Sequence, residues 1–144
     1  MTNIEEIINR LKKEFGKHCS EEEENRWQFT VKTDFGRKQR VYLWIEERIE
    51  PDRDLSRFVC SSPIGAVYKG IDFRNILQHN FKLDIGTIAI DEMENHDGIK
   101  VPFLFFKASH LAVTADYPEI WELIIKTGEC ADKLEREVYG RDEY

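Results

Sequence analysis

The chain has little of what covalent or metal-held scaffolds are made from. Its three cysteines, Cys19, Cys60 and Cys130, are odd in number and far apart, and no Cys-x-x-Cys or His-x-x-x-His pair joins them. That argues against a disulfide framework and against a zinc site of ordinary spacing. Long apolar runs are also missing. Stretches such as Val101 to Phe106 fall far short of the ~20 residues that span a bilayer. No charged-then-apolar segment opens the sequence, so the expectation is a chain without a signal peptide, cytoplasmic and with reduced thiols.

Positive charge is the scarcer sign: 21 Lys and Arg face 28 Asp and Glu, a formal net charge of −7. A nucleic-acid binder needs a positive field to displace counterions from phosphates, so the expected partners include no nucleic acid, and the short apolar runs predict no membrane. The one dense basic group, Arg37, Lys38 and Arg40, reads as a solvated turn between two strands. The eight glycines are dispersed and form no phosphate-cradling loop. Ser61 and Ser62 precede Pro63 without the flanking glycines of a nucleophile elbow.

What is present suits one packed α+β domain spanning residues 1–144. Hydrophobic residues make up 41% and aromatics 12%, enough for a chain of this size to bury roughly 70% of its unfolded surface. Thr2 and Glu5 have capping-box spacing. Ile4, Ile7, Ile8, Leu11 and Phe15 then recur at helical spacing up to Gly16. Glu21 to Glu24 read as a mobile acidic connection. Trp27, Phe29 and Val31 alternate with polar residues, and a turn near Asp34 and Gly36 leads to Val41–Ile45. These two strands should pair as a hairpin.

Arg57 to Ser61 reads as a third strand, ended or bent by Pro63 and Gly65. A short helix over Phe73–Asn80 is capped by Asp72, with Phe73, Ile76 and Leu77 on one side. Ile88 and Ile90 mark a fourth strand, Asp97-Gly98 a turn, and Val101 to Ala108 a fifth strand. The last helix opens with the capping pair Asp116 and Glu119. It steps through Ile120, Ile124, Thr127, Ala131, Leu134 and Val138, and stops at Gly140. Gly128 inside it costs about 1 kcal/mol relative to alanine, which predicts a close backbone approach or a kink. The expected architecture is a five-stranded antiparallel sheet in the order α-β-β-β-α-β-β-α.

This order, with the segments Ile76-Leu77, Asn80, Leu83, Ile85-Gly86 and Ile88 to Asp91, resembles the type III secretion chaperone-like fold. Gly98, Ala131-Asp132, Leu134-Glu135 and Ser61 to Gly65 extend the likeness. Within that fold the chain is most similar to the YbjN family of bacterial sensory-transduction regulators. The resemblance implies a protein-binding or regulatory module, commonly dimeric, with no catalytic residues. The N-terminal half departs most, in the charged loop after Ile45 and the extended hairpin.

Constellations that could carry chemistry are weak. The densest polar cluster is Asp91, Glu92, Glu94, His96, Asp97 and Gly98. Setting Gly98 as the sixth residue of a calcium loop puts Met93 and Leu104 where oxygen ligands belong. A polar hairpin turn is the simpler reading. Cys60 and Cys130 read as small buried hydrophobes. The remaining signal is an excess of apolar residues on the sheet. If Val41, Leu43 and Ile45 face the core, Tyr42 and Trp44 face away. Lys107 likewise turns Val101, Phe103 and Phe105 outward.

Tyr42, Trp44, Phe103 and Phe105 are therefore the candidate partner or dimer surface, unless a helix covers them. The functional expectation is a non-enzymatic protein-binding module, chaperone-like or regulatory, binding a protein partner or itself as a homodimer, with no cofactor and no metal. The alternatives are a small metal-dependent or acid/base hydrolase on the acidic hairpin 91–97, and a small-molecule sensor, which needs a closed apolar cavity.

Overall fold

A computed structural model describes residues 3–140. It is an α+β fold in which a six-stranded antiparallel sheet runs β1 (Cys19–Glu23), β2 (Arg26–Lys32), β3 (Lys38–Glu46), β6 (Arg57–Ala66), β8 (Lys100–Leu111) and β7 (Thr87–Glu94). A separate two-stranded ribbon, β4 (Ile49–Glu50) with β5 (Arg53–Asp54), occupies the charged loop after β3. The helices are α1 (Asn3–Phe15), α2 (Phe73–Lys82) and α3 (Tyr117–Tyr139).

One parity of the strands builds the core. Trp27, Phe29 and Val31 of β2, Val41 and Leu43 of β3, Phe58 and Cys60 of β6, and Leu104, Phe106 and Ala108 of β8 are all buried together. α3 crosses β2, β3, β6 and β8 on that side, inserting Ile120, Ile124, Ala131 and Leu134. α1 adds Ile7, Ile8 and Leu11, and α2 adds Ile76. Each of the three helices therefore contributes to the same side of the sheet.

α3 begins and ends as its sequence predicts. The Asp116 carboxylate accepts the Glu119 N–H at 2.9 Å, the Asp116 N–H donates to Glu119 Oε1 at 3.2 Å, and Gly140 closes the helix at φ 71°. Gly128 is a site of close approach: a Cβ there would lie 3.1 Å from Val31 Cγ1 and 3.2 Å from Val41 Cγ2. The helix can lie this close to β2 and β3 because that position has no side chain.

Several expectations are corrected. The sheet has six strands in place of five, because Cys19–Glu23 pairs with β2 as an edge strand and is not a loose connection. Charged residues suit an unpaired sheet edge, which explains why a strand carries this acidic run. The third strand does not stop at Ser61. It continues through Pro63 to Ala66 over an irregularity between Pro63 and Gly65, where a missing N–H is tolerated.

The turn holding Arg37 is anchored and not simply solvated. Its guanidinium donates to Asp132 of α3 at 2.6 Å, and Arg136 lies 3.5 Å from the other oxygen of the same carboxylate. Lys38 and Arg40 belong to β3 itself. Asp72 does cap α2, accepting from the Asn75 N–H at 3.1 Å. Only Ile76 is buried there, whereas Phe73 and Leu77 are exposed. Ile88 is buried but Ile90, on the edge strand, is exposed. The Thr2 half of the first capping pair lies outside the described residues.

Candidate functional site: the open face of the sheet

The strand residues of the opposite parity share a face that no helix covers among the described residues. The strand register fixes its layout. Trp44 stands opposite Arg26 on β2 and Val59 on β6. Tyr42 stands opposite Gln28 and Ser61. Farther across, Val59 faces Ser109, Ser61 faces Lys107, Pro63 faces Phe105, and Phe105 in turn faces Ala89 of β7.

Of the four residues singled out in the sequence, Tyr42, Trp44 and Phe105 are half-buried at this surface. Phe103 is 7% exposed, with its ring 5.8 Å from that of Phe105. The face therefore carries two aromatic pairs on β3 and β8, separated by β6. Two interstrand spacings put them ~10 Å apart across the sheet, and the register sets Phe105 two residues, ~7 Å, along the strands from the row of Tyr42. Val59 and Ser61 form a buried floor in that gap.

Cations hold the rings. The Arg26 guanidinium lies 5.1 Å from the ring centroids of both Tyr42 and Trp44, and Lys107 Nζ lies 5.9 Å from Trp44. Arg57 donates to Ser109 Oγ at 3.1 Å. Lys107 already marks the outward parity of its strand in the sequence, whereas Arg26 and Arg57 are scattered along it and do not stand out. The available signal was parity: Arg26 alternates outward with Gln28 and Thr30, and Arg40 with Tyr42 and Trp44.

The acidic hairpin is organised by its own turn. Asn95 Oδ1 accepts from the N–H groups of Asp97 and Ile99 at 2.9 and 3.0 Å, and Asp91 Oδ1 accepts from the Glu92 N–H at 2.8 Å. Among the described residues no three His, Cys, Asp or Glu side chains are grouped so as to hold a metal. The thiols are poor nucleophiles. Burial pushes the Cys60 thiol far above its ordinary range, with a smaller opposing effect from Thr127, and burial also raises Cys19 and Cys130.

Two clefts flank α3. One of about 750 Å³ is lined by His79, Leu83, Ile85, Cys130 and Lys133. The other, of about 650 Å³, lies between Ala108 and Leu123 with His110 and Glu119 at its rim. His110 Nε2 contacts Glu119 Oε2 at 2.6 Å and its Nδ1 contacts Leu111 O at 2.8 Å, so the ring links the end of β8 to the capping pair of α3.

A second exposed apolar surface lies on α2. Phe73, Leu77 and Phe81 recur every four residues on one stripe, and Phe81 is 93% exposed. No helix among the described residues is long and apolar enough to cross a membrane. No model of a known protein family matches the chain, and no curated protein matches it.

Proposed function

We propose that this chain is a non-enzymatic protein-binding module, chaperone-like or regulatory in role, that docks its partner on the open face of the sheet. The observation that carries this reading is the placement of Tyr42, Trp44 and Phe105 on a face that the helices leave bare. Half-buried aromatics on a rigid sheet are suited to anchor a partner, because burying each ring removes apolar area from water at little entropic cost. The resemblance to the type III secretion chaperone-like fold and to YbjN-type regulators supports the same class. The raised thiols and the self-satisfied acidic hairpin favour it over the hydrolase reading.

Self-association falls to a different surface in this reading. An isologous pair through the sheet would bring together two copies of a face on which Arg26, Arg40, Arg57 and Lys107 outnumber the carboxylates. The Phe73, Leu77 and Phe81 stripe of α2 has no such conflict. Affinity purification of the tagged chain from its native cells, with and without Trp44→Thr, tests the docking surface. A specific protein should be retained by the wild type and lost from the variant. Equal retention by both would refute this reading.

A further inference from the structure

The open face has the opposite charge to the chain that carries it. Arg26, Lys32, Lys38, Arg40, Arg57 and Lys107 share the outward parity of β2, β3, β6 and β8, against the carboxylates of Glu46 and, on β7, Asp91. Yet the protein as a whole is at −7. Lys32 even stands directly opposite Lys38 across β2 and β3, a like-charge cross-strand pair that destabilises a bare sheet. An anionic ligand would relieve it.

We propose that this face takes an acidic, extended segment of a partner protein, with carboxylates meeting the central cations and apolar side chains meeting the rings. The proposal rests on the reading of the face as a docking surface and adds the chemistry of what docks. Arg26, held over two rings, is already ordered, so a carboxylate can engage its planar fork with little further loss of freedom. From β2 to β7 the face spans four interstrand spacings, on the order of 19 Å, or about six residues of extended chain.

Both edges limit the ligand. On this face β1 carries Glu23, opposite Arg26, and β7 carries Asp91, opposite Phe103. Negative charge on the partner is thus confined to the middle of the face. A long polyanion such as single-stranded nucleic acid would meet these acidic borders at both ends, within the ~8 Å reach of charge at physiological salt. The cations over Tyr42 and Trp44 also compete with base stacking for those rings.

The test is fluorescence anisotropy of the full chain with a labelled peptide of six alternating Glu and Phe residues, flanked by Gly and Ser. Binding should occur, weaken as salt is raised, and fall about tenfold or more in an Arg40→Glu, Lys107→Glu double variant, a loss of about 1.4 kcal/mol or more. The matched Lys and Phe peptide should not bind. Both substituted side chains are exposed, and circular dichroism verifies the fold. If the reversal unfolds the chain, Arg40→Gln with Lys107→Gln should still weaken binding. Equal binding of both peptides, or tighter binding of a labelled oligothymidylate, overturns the proposal. If the acidic peptide fails to bind while Trp44→Thr still loses a cellular partner, the acidic chemistry is wrong and the docking surface stands. If neither effect is seen, both readings fall.

Discussion

Trp44 and Phe58 are near neighbours on adjacent strands but lie on opposite faces of the sheet, and their substitution should separate surface from core. Phe58 is fully buried beneath the helices, so Phe58→Ala should cost about 3–5 kcal/mol through lost transfer energy and the cavity left behind. Trp44 is partly buried. Well over half of the 1.5–3 kcal/mol of a fully buried large side chain is realised there, about 1–2 kcal/mol. Arg26 at 5.1 Å and Lys107 at 5.9 Å from the ring centroid lie near the outer limit of a cation–π contact and add about 0.5 kcal/mol each. Trp44→Thr, which keeps a good strand former, should therefore cost about 2–3 kcal/mol. Urea denaturation followed by far-ultraviolet circular dichroism measures both, and ~2 kcal/mol moves the midpoint by about 1 M at a typical slope. A loss of 4 kcal/mol or more for Trp44→Thr would mean that the face is covered in the free protein and would refute the reasoning.

Two further outcomes follow from the packing. Gly128→Ala should be near neutral, since a helix gain of about 1 kcal/mol offsets a tight contact with Val31 and Val41. Gly128→Val should overpack the same seat and cost about 1–3 kcal/mol by the same denaturation assay; a valine variant as stable as the wild type would contradict the close approach. Cys60 should stay unreactive toward a thiol reagent in the native state while Cys19 and Cys130 label slowly, and all three should label in denaturant. The folded-state pKa of Cys60 is raised, so its contribution to stability is complete below the ordinary thiol pKa. That contribution declines as pH rises above it. Stability that is flat across that alkaline range in wild type and Cys60→Ala alike would argue against it.

The fold was largely legible where one period dominated. Trp27, Phe29 and Val31 announced a half-buried strand, and the Asp116–Glu119 pair with Gly140 bounded α3 at both ends. The edge strand Cys19–Glu23 was hidden because four consecutive acids look like solvated loop, and pairing with β2 is a long-range fact that composition does not carry. Pro63 and Gly65 leave an end and a bend equally open, because nothing local shows that the strand continues past an irregularity. The aromatic half of the site could be read from parity alone. Parity also turns Arg26, Arg40, Arg57 and Lys107 outward one by one, but they come from four strands, and their sum on one face exists only when the sheet forms. Whole-chain net charge concealed a basic face.

The most direct test of the docking surface is site-specific photo-crosslinking in native cells, with a benzophenone amino acid placed at Phe105 and, separately, at Glu122 on the exposed side of α3. The account expects a discrete protein adduct from position 105 that is absent from position 122 and is lost when Trp44→Thr is added. Adducts from position 122 alone, with none from position 105, would contradict it.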